Sequence, residues 1–225
     1  MRHKLFWPAL ALCAVLLPLS LYLIFHWAPV DRELLYSQKI FYWHVPNAMM
    51  LFVAVFVCGI ASIMYLRNRK PEWDDIAGAA GALGVLLGAI VLISGSIWGR
   101  AAWGVWWQWD QRLTTSLLLW MLMLGYVLVR TYGGAGSERL AAGLAIFAMA
   151  DVPLIYLSVF IWKTIHPKAS VVPTLAAEMR VTFWLSTLLF TVLFALLIGV
   201  RVMIGRDARR LHRVREQGLD DGILE

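Results

Sequence analysis

The fifteen residues from Trp98 to Arg112 contain Trp98, Trp103, Trp106, Trp107 and Trp109, five of the twelve tryptophans in the chain. Indole offers the largest flat apolar face of any side chain, and its single N–H needs an acceptor. Five such faces, interleaved with Arg100 and closed by Asp110 and Arg112, make a platform for a flat, largely apolar molecule that carries some charge. Haem answers that description, and haem iron takes imidazole readily. His44 stands in the aromatic stretch Phe41-Tyr42-Trp43-His44-Val45-Pro46, and His166 precedes Pro167. Two imidazoles from two separate segments could bind an iron from opposite faces of a porphyrin. The propionates would then take cations from Arg100, Arg112, Lys163 or Lys168. His26 lies near the same kind of boundary, and composition alone does not choose between His26 and His44. His3 and His212 lie in basic surroundings and read as inert. If 103–110 is helical, Trp103, Trp106, Trp107 and Asp110 share one face.

The elements that must position these groups are read from apolar runs. The chain of 225 residues is 61% hydrophobic and only 15% charged, a balance that excludes an ordinary soluble domain. Six stretches approach the roughly 20 apolar residues that a helix needs to cross a bilayer: 8–26, 45–66, 78–97, 113–130, 141–161 and 182–204. The expected fold is all-α, an integral membrane protein with six transmembrane helices. The alternating pattern of a membrane barrel is absent. The first stretch reads as a span and not a cleaved leader, because no small-residue cleavage site follows it. Residues 1–206 are expected to form the membrane domain, and 207–225 a charged tail.

Thirteen of the twenty Lys and Arg residues flank the span ends on the N-terminal side, and seven lie on the other. This bias places both termini in the cytoplasm. Three loops, roughly 27–44, 98–112 and 162–181, then face the opposite side, so the tryptophan loop between helices 3 and 4 shares a membrane face with both His44 and His166. The net charge of +6 comes largely from the tail, which suits lipid headgroups better than nucleic acid. Cys13 and Cys58 fall inside spans without ligand spacing and read as small buried residues. Gly78, Gly81, Gly84 and Gly88 read as close helix packing. Asp151, in the fifth span just before Pro153, is either a functional carboxylate or a hydrogen-bonded helix contact.

At these residues the chain resembles a known family. Trp103 to Asp110 matches the pattern WGxxWxWD, complete at Trp103, Gly104, Trp107, Trp109 and Asp110. This is the tryptophan-rich WWD signature of the haem-handling proteins of cytochrome c maturation. Six spans and one outer histidine on each side of the motif resemble the smallest branch of that family, the haem exporter C (CcmC) type, over roughly residues 5–205. The resemblance implies a protein of the bacterial inner membrane that holds haem b, as cargo, at the periplasmic face. It implies His44 and His166 as axial ligands, with the tryptophan loop presenting haem to the periplasmic chaperone CcmE. It also implies partners in the CcmA/CcmB ABC transporter and CcmD; the sequence has no P-loop of its own.

Three rivals remain. Larger relatives that ligate haem to apocytochromes carry more spans and intramembrane histidines. An anchor subunit for b-type haem or quinone electron transfer places histidines inside facing helices. A small-solute carrier built around Asp151 leaves the tryptophan loop without a role.

Overall fold

A computed structural model describes residues 3–134, 136–167 and 171–221 of the chain. Among the described residues seven α-helices follow one another: α1 (His3–Tyr22), α2 (Phe41–Asn68), α3 (Pro71–Trp103), α4 (Gln111–Tyr132), α5 (Glu138–Ile161), the short α6 (Val171–Thr174) and α7 (Ala177–Asp220). All but α6 are long and apolar enough to cross a membrane, and the described residues contain no named strand. The six expected spans therefore appear as six helices, because hydrocarbon leaves every backbone N–H to be satisfied within its own segment. The helix α7 runs unbroken through residue 206 to Asp220, so the expected charged tail continues the last span as helix as far as Asp220.

The helix ends follow local chemistry. Lys70 is extended and Pro71 opens α3, where its missing N–H costs nothing. Gly104, at φ +76°, closes the same helix in a left-handed conformation that suits glycine. The carboxylate of Asp110 caps α4 by accepting the Leu113 N–H at 2.9 Å.

Packing centres on α2 and α3, which lie against each other; α2 also meets α5 and α7, and α3 also meets α4 and α7. The helix α1 packs on α7, joined by a buried Ser20–Ser186 hydroxyl pair at 2.9 Å. The α3–α4 contact is a ladder. Gly78 faces Arg130, Gly81 faces Tyr126, Gly84 faces Met123 and Gly88 faces Trp120, each gap receiving one α4 side chain. A methyl group added at Gly81 would stand 2.2 Å from the Tyr126 ring. These four glycines are packing residues, as their spacing suggests. Trp120 adds a 3.0 Å bond from its indole N–H to the Val85 carbonyl.

A second apolar cluster, containing Ile24, Ala28, Phe41, Tyr42, Trp98, Met179 and Phe183, closes the other end of the bundle. There Lys39 is buried and its ammonium donates to the Ala28 carbonyl at 2.6 Å, tying the segment between α1 and α2 to the start of α2. Cys13 and Cys58 are free and buried. Asp151 is buried in α5, and its Oδ2 has no hydrogen-bond partner among the described residues.

Candidate functional site

The start of α2, the end of α3, the start of α4 and the loop after α5 meet around one cavity of about 80 Å³, lined by His44, Trp98, Trp103, Trp107, Arg112 and His166 among others. His44 does not stand in a loop. A 3-10 turn over Tyr36–Ile40 runs straight into α2 and carries His44 in the first turn of that helix, where it is 7% exposed. His166 lies on the non-helical segment after α5. The two rings are joined by an aromatic arc, with centroids 6.1 Å apart for His44–Trp98, 5.8 Å for Trp98–Trp103 and 6.5 Å for Trp103–His166.

The hydrogen bonds fix both imidazoles in the same tautomer. Ser94 Oγ donates to the Ile90 carbonyl at 2.6 Å, so its lone pair receives the Nδ1–H of His44 at 2.9 Å. His166 Nδ1 lies 2.8 Å from the Pro167 carbonyl, which can only accept, so this nitrogen also carries a proton. Each ring thus keeps a lone pair on Nε2, the form in which imidazole binds a metal. Burial, and next the Arg112 guanidinium, push the His166 imidazole down to about 4, so it is neutral at pH 7. Gly95 makes room for His44: a Cβ there would stand 3.1 Å from the His44 Cε1.

Asp110 binds the two loops together. One carboxylate oxygen caps α4; the other accepts the Thr164 hydroxyl and, at 3.1 Å, the Ile165 N–H. Thr164 in turn accepts the His166 N–H at 3.1 Å. The tryptophan loop is therefore pinned to the His166 segment through one buried carboxylate. An Asp directly before an apolar helical run signals the cap in the sequence, whereas its partners 54 and 55 residues away leave no local mark. Ser94, 50 residues from His44, was likewise invisible to sequence reasoning.

The structure divides the expected site residues. Trp98, Trp103, Trp107, Arg112 and both histidines line the cavity. The indole N–H groups of Trp98 and Trp107 are buried there without an acceptor among the described residues. Arg112 reaches the Ile155 carbonyl at 3.1 Å. Trp106 and Trp109 are 61% and 75% exposed and stand outside the cavity. Arg100 also stays outside, its guanidinium bonded to the Gly104 carbonyl. The conditional helix over 103–110 is not formed: α3 reaches Trp103, the left-handed Gly104 stops it, and the chain is extended at its Asp110 cap. Trp98 and Trp103 are consequently helical, and the loop proper is 104–110. His26 is exposed, stacked on Tyr22 at 5.4 Å, and does not reach the cavity. Lys163 is exposed, and Lys168 lies outside the described residues.

Comparison with known proteins places this arrangement. The family model described as Heme exporter protein C matches residues 1–219. The chain is 34% identical over 172 residues to the Heme exporter protein C of Bradyrhizobium diazoefficiens, covering 76% of this chain and 65% of that protein. It is 32% identical to that of Haemophilus influenzae, covering 81% and 78% respectively. It is 30% identical to that of Escherichia coli K12, covering 69% and 66%. The chain thus spans slightly less than two thirds of the length of the first and third of these relatives.

Proposed function

The chain belongs to the heme exporter protein C family, and on that premise we propose that it binds haem b at the periplasmic face of the bacterial inner membrane and hands it to the periplasmic chaperone CcmE. The CcmA/CcmB transporter and CcmD are its membrane partners in this reading. The haem is cargo, so no step of bond chemistry is required of the protein itself.

The observation that carries this reading is the convergence of His44 and His166, 122 positions apart in sequence, on one cavity with both Nε2 lone pairs uncommitted. Neutral imidazoles suit haem iron, and the local polarity of the pocket tunes it. Trp98, Trp103 and Trp107 give the ring apolar faces, and the Arg112 guanidinium offers a cation to a propionate. A cavity of about 80 Å³ is well below the roughly 300–1,000 Å³ of pockets that enclose their ligands. The porphyrin therefore protrudes over the loop 104–110, where exposed Trp106 and Trp109 would meet both the ring edge and an acceptor protein. A partly exposed ring is what a delivery protein needs, because the acceptor must reach it.

The test is the covalent haem adduct of the chaperone in cells carrying this protein. His166→Ala and Trp107→Ala should each remove most of the adduct. Unchanged adduct in both would sink the reading. A reporter fused within 104–110 should read periplasmic; a cytoplasmic signal would reverse the topology and the site together.

A further inference from the structure

At the end of the bundle remote from the two histidines, α3 packs against both α4 and α7, while α4 and α7 barely touch. The gap between them is a cleft of about 350 Å³, lined by Asp74, Asp75, Tyr126, Arg130, Arg201 and Arg209 among others. Asp74 accepts both terminal nitrogens of Arg130, one at 2.8 Å. Asp75, whose side chain is 4% exposed, accepts Arg209 and lies 3.8 Å from Arg206. The lining set of three arginines against two aspartates leaves one cation over. Arg201 makes no hydrogen bond or ion pair among the described residues.

Two further donors lack a strong acceptor among the described residues. Tyr126 is 1% exposed, and its hydroxyl has only the weakly accepting Cys58 thiol beside it; the Arg209 Nε–H is buried and has no partner. Buried polar groups are nearly always paired, so an orphaned Arg209 Nε–H and a weakly met Tyr126 hydroxyl beside a free guanidinium mark the place of an acceptor. A phosphate diester provides only acceptors and negative charge, which is what this set lacks. The glycines are part of the construction. A Cβ at Gly78 would stand 3.1 Å from the Arg130 guanidinium, and one at Gly205 would stand 3.5 Å from the Asp75 carboxylate.

The cleft does not end in solvent on every side. From Asp75, Ala79 and Ala82 the same face of α3 continues at three- and four-residue steps through Leu86, Ile90 and Ile93, all three exposed to the surroundings of the helix. From Ala82 to Ile93 the helix rises about 16 Å, close to half of the roughly 30 Å hydrocarbon core. One leaflet of acyl chain fits that stripe.

We propose that this cleft binds one anionic phospholipid, its phosphate held by Arg201, Arg209 and the Tyr126 hydroxyl and its acyl chains laid along Leu86, Ile90 and Ile93. Basic pockets between membrane helices take acidic headgroups in this manner. The assignment to the cytoplasmic leaflet rests on the orientation proposed above; the binding itself does not.

Native mass spectrometry of the full chain in detergent tests it, with phosphatidylglycerol, phosphatidylcholine of the same acyl chains, and glycerol 3-phosphate as probes. The expected result is one phosphatidylglycerol retained per chain in preference to phosphatidylcholine. Arg201→Gln should weaken that retention about tenfold, the loss of one charged hydrogen-bonding group. Arg201→Lys should keep part of it, and Tyr126→Phe should weaken it several-fold. Arg201 is exposed and unpaired, so its variants should keep the melting temperature of the parent. Equal retention of the two lipids, or unchanged retention in both Arg201→Gln and Tyr126→Phe, would overturn the proposal. So would displacement of the lipid by equimolar glycerol 3-phosphate, which would make this a site for a free phosphate. A membrane partner chain found in place of the lipid would overturn it as well.

Discussion

The two halves of α3 use the same small residues to opposite ends. Along the first half, Gly78, Gly81, Gly84 and Gly88 each admit one α4 side chain. Along the second half, the space above Gly95 admits the edge of the His44 ring, and the chain then opens into a cavity where Trp98 and Trp107 hold unanswered N–H groups. A glycine facing a Met or Tyr is filled by the protein itself. A glycine facing an imidazole makes room for a side chain with one ring nitrogen still free. Small residues in a membrane helix therefore identify close approach, and only the partner side chain says whether the approach serves packing or binding.

This contrast can be broken, beginning with the residue on which the cavity end depends most. Asp110→Ala removes an N-cap worth about 1 kcal/mol and two bonds to a charged acceptor, each worth roughly 1.5–3 kcal/mol. We expect haem retention to fall at least about tenfold together with the melting temperature; a variant with parental haem content would separate Asp110 from the His166 segment. Gly81→Ala forces a methyl group onto the Tyr126 ring and should cost roughly 1–3 kcal/mol of stability, while the absorption spectrum of bound haem stays unchanged. Gly95→Ala should do the reverse, shifting the spectrum through His44 with little loss of stability. If both variants behaved alike, the two halves of α3 would not differ in the way described.

Ser94→Ala leaves His44 free to adopt the other tautomer and should weaken haem retention about tenfold; unchanged retention would show that the Ser94 bond does not hold the ring. The smallest effect is with pH. The His166 imidazole is held down to about 4 in the folded chain against an ordinary value of 6.5. As pH falls from 6.5 toward 4, the unfolded chain takes up a proton that the folded chain refuses, so stability declines across that window. In His166→Gln the same window should show a shallower decline of melting temperature, measured on haem-free protein.

The spans were legible because crossing hydrocarbon demands a length and an apolarity that few other constraints impose. The Gly78, Gly81, Gly84 and Gly88 series announced close packing, but not its partners, since Tyr126 and Met123 come into register only when α4 folds back. The site was legible in its residue types and less so in its geometry. Trp103 to Asp110 has helical spacing, yet Gly104 ends α3 and the Asp110 cap starts α4 only at Gln111, and local chemistry overrode the period. Exposure of Trp106 and Trp109, against burial of Trp98, follows from where α3 stops. The bonds from Asp110 to Thr164 and from Ser94 to His44 join segments more than 40 residues apart, and no single window of sequence contains both partners.

The central claim is that His44 and His166 together ligate one haem iron. It is tested most directly by the optical spectrum of purified His44→Gly and His166→Gly proteins before and after addition of imidazole. Each variant should lose the low-spin bands of a two-imidazole haem and regain them when free imidazole enters the vacated position. Low-spin bands that persist unchanged in both variants without imidazole would contradict the claim.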